Sequence, residues 1–131
     1  MGVQNVFIVC SNASGERVPF HIKSDRVLID APCSNTGVLS RRVEARWRLK
    51  EDINKLTTLQ YSILKTGAAM LKPGGYLVYS TCSIEPEENQ DIIKKFLNNE
   101  SQFYLDAEEG YLPSMNGGDG GYMARVYKRK V

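Results

Sequence analysis

Two apolar runs, Arg26-Val-Leu-Ile-Asp30 and Tyr76-Leu-Val-Tyr-Ser-Thr-Cys82, each stop at a polar, cysteine-bearing turn, and a long helical pattern separates them. Short, nearly continuous apolar runs suit strands that helices cover on both faces, since a strand with one wet face alternates polar and apolar residues. Between the runs, apolar side chains recur three or four apart at Ile53, Leu56, Leu59, Ile63, Leu64 and Met70-Leu71. Asp52 is placed as the N-cap of this helix, and Lys72-Pro-Gly-Gly75 closes it. Strand, helix and strand in that order make a crossover, so the two strands run parallel. Their carboxyl ends then share one edge of the sheet, the edge at which open α/β sheets bind ligands.

The rest of the chain extends this pattern. Val3 to Cys10 is β-branched and aromatic and stops at the turn formers Ser11 to Gly15, which predicts a strand and a loop. Pro86 falls in the first turn of a helix predicted over Glu87 to Leu97, with Ile92, Ile93, Phe96 and Leu97 as its buried stripe. Tyr122 to Tyr127 reads as the final strand of a hairpin. The fold class is therefore α/β, a mostly parallel sheet with helices and a C-terminal antiparallel hairpin. A doubly wound nucleotide-binding sheet normally opens with a strand and a Gly-rich turn, and residues 1 to 30 supply no such turn. Gly74-Gly75 precedes a strand and Gly117 to Gly121 comes late, so both are taken as turns.

Composition narrows the function classes. At 131 residues the chain amounts to one domain, and 42% hydrophobic with 24% charged residues is neither disordered, collagen-like nor membrane-spanning. A formal charge of +2 is too small to argue a nucleic-acid partner by itself. Cys10, Cys33 and Cys82 are odd in number and lack a CxxC spacing or a histidine pair, so neither a disulfide framework nor a metal site is expected. The apolar start is too short for a membrane helix or signal peptide, and a cytoplasmic address, or a nuclear one in a eukaryote, is the expectation. Cys10 is taken as a small buried hydrophobe. Cys33 and Cys82 sit in polar contexts at the two strand ends, with Asp30 three residues before the first, and are the candidate chemistry.

The segments Asp30-Ala-Pro-Cys-Ser-Asn-Thr-Gly37, Arg41-Arg42, Trp47, Glu51-Asp52, Leu59-Gln60 and Leu71-Lys-Pro-Gly-Gly-Tyr-Leu-Val-Tyr-Ser-Thr-Cys-Ser-Ile-Glu-Pro-Glu-Glu-Asn89 closely resemble the Sun-type RNA cytosine-5 methyltransferases. The resemblance spans about residues 26 to 97, with a looser match at Asp119 to Arg125. It implies a Rossmann-like methyltransferase fold that uses S-adenosylmethionine. It further implies that Cys82 attacks carbon-6 of the target cytosine and that Cys33 assists breakdown of the covalent adduct. Asp30 would hydrogen-bond the cytosine Watson–Crick edge. Asp30 and Pro32 would also line the cofactor, and Asn12 stands nearest to the family's acidic residue beside the adenine. The chemistry needs such a thiol, because carbon-5 of cytosine becomes nucleophilic only after a thiolate has added at carbon-6. A helix N-terminus after Cys82 would lower its pKa.

Arg41, Arg42, Arg46 and Arg48 cluster around Trp47, a pattern suited to phosphate contact and base stacking on RNA, whether tRNA or rRNA, as well as to a solvated face with a packing anchor. The sequence departs from the family's pattern: its Gly-rich cofactor motif and acidic ribose-binding residue are absent, Asn12 stands in place of the acidic residue beside the adenine, and Asn35 stands where glycine is usual. The expectation is the C-terminal portion of one methyltransferase catalytic domain over residues 1 to 131, without the cofactor-binding N-terminal half. Such a chain would expose a sheet edge and self-associate or pair with the missing half. The alternative, from another class, is a non-catalytic RNA-binding or assembly module.

Overall fold

A computed structural model describes residues 2, 4–15, 21–38, 50–114 and 117–130. Four strands form one sheet in the order β1-β2-β4-β3: β1 is Ser24–Asp30, β2 is Leu71–Thr81, β3 is Phe103–Tyr111 and β4 is Gly121–Lys128. Helix α1, Lys50–Met70, leads into β2, which pairs parallel with β1 from Arg26 opposite Tyr76 to Asp30 opposite Ser80. Helix α2, Gln90–Asn99, carries the chain from β2 to β3. β3 and β4 form the antiparallel C-terminal hairpin, and β4 also pairs antiparallel with β2. Among the described residues the sheet is thus mixed, with β1–β2 the parallel pair and the other two pairs antiparallel, where the sequence predicts mostly parallel strands. The partner of the terminal strand is Phe103–Tyr111, which no apolar run announces.

Both helices pack on one face. Ile29 and Ala31 of the β1 end, Leu77 and Tyr79 of β2, and Ala124 and Val126 of β4 meet Leu64 and Ala68 of α1 and Ile92, Ile93 and Phe96 of α2. Phe96 has no exposure, and burying such a side chain contributes roughly 1.5–3 kcal/mol. Gly67 lets α1 approach β1 closely, for a Cβ there would lie 2.7 Å from Cδ1 of Ile29. The second face carries no helix among the described residues, so Leu28 is 73% exposed although its run predicts cover on both sides. On that face Arg26, Tyr76, Tyr127 and Tyr104 form one row across all four strands. The guanidinium of Arg26 lies 4.8 Å over the Tyr76 ring, whose centroid is 4.9 Å from that of Tyr127.

The strand predicted over Val3 to Cys10 does not form in its described part, residues 4–10. A strand forms only where a neighbouring strand completes its hydrogen bonds, and among the described residues none pairs with residues 4–10. Phe7 and Ile8 are 93% and 94% exposed, and Cys10, expected in the core, is exposed with them. No described helix is long and apolar enough to cross a membrane.

Candidate active site

β1 and β2 end side by side, and that placement brings the two cysteine loops together. The ladder continues one residue past β1, where Ala31 N donates to Ser80 O at 2.9 Å. Beyond it the loops bond directly: the backbone N–H of Cys82 donates to Sγ of Cys33 at 3.3 Å, and Gly37 N donates to Cys82 O at 2.9 Å. The two thiols, 49 residues apart in the chain, therefore share one edge, as the strand pattern predicts. Their exposures are opposite. Cys82 is open to solvent, whereas Cys33 is 8% exposed. Burial pushes the Cys33 thiol above its ordinary range and the charge of Glu88 adds to this; hydrogen bonds involving the Asn35 and Cys82 backbone work against it.

A buried carboxylate joins the loops. Glu88 is fully buried in the 3₁₀ turn Pro86–Glu88. Its Oε1 accepts Ser34 N at 2.8 Å and Gln60 Nε2 at 3.0 Å. Its Oε2 accepts Ser34 Oγ at 2.6 Å and the hydroxyl of Ser83. All four donors are neutral, and they come from the Cys33 loop, α1 and the Cys82 loop. Gln60 also donates to Pro32 O at 2.7 Å. Tyr79 adds its hydroxyl to the Glu88 carbonyl at 2.8 Å; burial, reinforced by the Glu88 carboxylate, drives its pKa upward. Glu88 and Gln60 escape a reading based on apolar periodicity because both are polar. Yet Glu88, Ile92 and Phe96 are spaced by four, as are Gln60, Leu64 and Ala68, and all six are buried. A polar residue on the core-facing stripe was the available signal.

The turn after Cys82 departs from expectation. The α-helix begins at Gln90, and the N–H groups before it are used elsewhere: Ser83 N donates to Thr81 Oγ1, Ile84 N to Thr36 Oγ1 and Glu85 N to Ser83 Oγ. None of these three donates to Cys82, and the α-helix starts only eight residues after that thiol. On the other side, the late glycine stretch closes the site, with Gly120 N donating to Gly37 O at 2.8 Å.

The remaining candidates are placed unequally. Asp30 and Pro32 are exposed at the carboxyl end of β1, beside Cys33 in the chain and on the outer strand of the described sheet. Asn12 lies in a separate loop, where its Oδ1 accepts Ser14 N at 3.0 Å and Ser14 Oγ at 2.6 Å. That loop is tied to α1 through Ser62 and Thr66, which donate to the carbonyls of Ser14 and Gly15. Asp30 and Pro32 are thus open to a ligand at that edge, while the amide oxygen of Asn12 is engaged within its own turn. Arg41, Arg42, Arg46, Trp47 and Arg48 lie outside the described residues. No group of three potential metal ligands occurs among the described residues.

Similarity to known proteins gives the family of the chain. The sequence model described as 16S rRNA methyltransferase RsmB/F matches residues 1–127. The chain belongs to that family. Ribosomal RNA small subunit methyltransferase B of Pasteurella multocida is 44% identical over 118 residues, which cover 82% of this chain and 26% of that protein. Its counterpart from Photorhabdus laumondii is 45% identical over 113 residues, 80% of this chain and 26% of that protein. The chain therefore spans about a quarter of the length of these RsmB relatives. Among solved structures, NSun6 from Pyrococcus horikoshii, crystallised with SFG, superposes with a TM-score of 0.85 at 26% identity over 98% of this chain and 36% of that one. PH0851 gives 0.70 at 37% identity over 80% and 27%. The RsmB/F fold is accordingly the frame in which the two thiols stand.

Proposed function

We propose that this chain forms the C-terminal portion of the catalytic domain of an S-adenosylmethionine-dependent RNA cytosine-5 methyltransferase acting on rRNA or tRNA, and that it carries the covalent chemistry. The observation that carries this reading is the contact of the two cysteine loops, one thiol open and one buried, at the carboxyl edge of parallel strands. The exposed Cys82 attacks carbon-6 of the cytosine as its thiolate, forming a sulfur–carbon bond and placing the electron pair on carbon-5. Asp30 holds the cytosine edge and favours a proton on the ring nitrogen. When bound, the cofactor supplies an electrophilic methyl group for carbon-5, and Asp30 and Pro32 are the residues here that would line it. The carbon-5 proton must then leave to a base, and the returning electron pair expels the Cys82 sulfur. Cys33, whose thiolate is made more basic by burial, is assigned to that release step. Arg41, Arg42, Arg46, Trp47 and Arg48 are assigned to the RNA on charge and stacking grounds.

The roles separate on a denaturing gel, with this chain completed by the rest of the catalytic domain. Cys33→Ala should retain a slow-migrating protein–RNA band, and Cys82→Ala should give none. If Cys82→Ala traps RNA and Cys33→Ala does not, the roles are reversed. The outer edge of β1, together with the exposed apolar run at Val6 to Val9, leads us to assign this edge to the rest of that domain. The isolated chain should then self-associate in sedimentation at high concentration, and a strictly monomeric species would oppose this.

A further inference from the structure

Cys82 and Cys33 are held in place by different means. Cys82 directly follows β2, whose last residue, Thr81, pairs with Tyr122 of β4, so the sheet itself fixes its position. Cys33 lies three residues beyond β1, in irregular chain with only the Ala31 bond behind it. What holds that stretch is polar: Gln60 on the Pro32 carbonyl, and Glu88 on both the backbone and the hydroxyl of Ser34, the next residue. Through Ser83, the same carboxylate ties Ser34 to the loop that bears Cys82. We propose that Glu88 is a positioning residue for Cys33, clamping its loop against the Cys82 loop so that the release group stands beside the adduct formed on its neighbour. This rests on the assignment of Cys82 to attack and Cys33 to release.

The consequence is selective. Cutting the clamp should leave attack at Cys82 largely intact and impair the step that belongs to Cys33. In the completed enzyme, Glu88→Ala should reproduce the Cys33→Ala phenotype, with accumulated protein–RNA adduct, turnover reduced by about tenfold or more and KM for RNA lowered in step, so that kcat/KM changes by less than about threefold. General loss of structure gives the opposite result, a missing adduct. Glu88→Gln keeps one carbonyl oxygen for Ser34 N and an amide group that can donate to the two serine hydroxyls, so release should recover to within about threefold of wild type. If Glu88→Gln traps adduct as strongly as Glu88→Ala, charge and not clamping is the cause, and the proposal fails.

Should Glu88→Ala lose its cooperative melting transition, Ser34→Ala decides. It removes one of the two bonds from Glu88 to Ser34, and adduct should accumulate partially; wild-type release in that variant overturns the clamp. If Cys33→Ala itself traps nothing, the assignment of the thiols has failed, and alkylation of the 131-residue chain judges the clamp independently. With iodoacetamide and mass spectrometry, Glu88→Ala or, where it does not fold, Ser34→Ala should raise the Cys33 rate, by about tenfold for the former, with Cys82 changed by less than about threefold. An unchanged Cys33 rate refutes the positioning role.

Discussion

The two cysteine loops lie on the same sheet edge and in hydrogen-bond contact, yet they are built by opposite means. The Cys82 loop grows directly out of a strand flanked on both sides, and its short turn is stitched by local bonds: Thr81 Oγ1 to Asn89 Oδ1 at 2.6 Å and Asn89 Nδ2 to Ser83 O at 2.8 Å. The Cys33 loop leaves an edge strand at once and borrows its order from distant elements, namely α1, the 3₁₀ turn carrying Glu88 and the glycines before β4. A thiol placed by a sheet can stay exposed and still be fixed. A thiol placed by side-chain bonds must be buried among the groups that hold it. The exposed thiol can meet a substrate, and the buried one acquires the raised pKa of a sequestered base.

The sharpest way to break this contrast is at Gly37. Its amide and carbonyl connect Cys82 O to Gly120 N, and a Cβ placed on it would lie 2.2 Å from Gly120 O and 2.8 Å from Cys82 O. Both obstacles are backbone, so neither can turn aside as a side chain would. Gly37→Ala should cost about 3 kcal/mol in denaturant unfolding, near the upper end for overpacking, and should speed alkylation of Cys33 as its loop shifts. A melting curve superimposable on wild type would show that the Cys33 loop has more room than its contacts imply.

A second, milder probe uses pH. The buried Cys33 thiol should reach half-maximal alkylation above the ordinary value of about 8.5 for a free thiol. The sign for stability follows from the same shift. Below that pH the thiol is protonated in both states and the contribution is fully present; above it, the unfolded chain releases its proton first, so stability falls as pH rises through the folded pKa. Tyr79 and Tyr122, both held above the ordinary tyrosine value mainly by burial, act in the same direction at still higher pH. Urea unfolding at neutral pH and again near pH 10 should show the decline, and replacing Cys33 by Ala should remove its part. A Cys33 alkylation midpoint at or below that of a free thiol would contradict the burial argument.

Much of this frame was legible in the sequence, for identifiable reasons. The crossover from β1 through α1 to β2 follows from periodicity, and periodicity works there because the buried stripes are long. The convergence of Cys33 and Cys82 needs only that both strands point the same way. The strand at Val3 to Cys10 failed because a β-branched run specifies extended backbone and not a partner. Phe103–Tyr111 was missed for the converse reason: all but Phe103 are exposed, and Asp106, Glu108 and Glu109 interrupt any apolar pattern, so the pairing with β4 alone makes it a strand. The Glu88 clamp was hidden because a glutamate among exposed Glu87 and Asp91 looks like surface until its spacing to Ile92 and Phe96 is noticed. The helix over Glu87 to Leu97 begins later than predicted because the 3₁₀ bonds from Glu88 N to Glu85 O and from Asn89 N to Pro86 O form their own turn, the one that carries Glu88 inward.

The smallest expected effect concerns Asn35, which carries a Cβ at positive φ. Its φ of 60° lies in the left-handed region, which asparagine tolerates better than other residues bearing a Cβ. Its side chain gives something back: Nδ2 donates to Cys33 O at 3.2 Å, and Oδ1 lies 3.8 Å from Sγ of Cys33, within reach of a weak thiol donor. Asn35→Gly relieves the backbone of about 0.5–1 kcal/mol of left-handed cost but gives up a partly buried hydrogen bond worth a similar amount. The two terms oppose each other, so unfolding free energy should move by less than about 0.5 kcal/mol. Asn35→Val keeps the strain, adds a β-branched side chain at positive φ and loses the bonds, and should be destabilised by about 2 kcal/mol. The pair of variants separates backbone from side chain in the borrowed order of the Cys33 loop. If glycine destabilises as much as valine, the side-chain bonds of Asn35 hold the turn; if both are neutral, the clamp from Glu88 and the threading of Gly37 fix Cys33 without help from this residue.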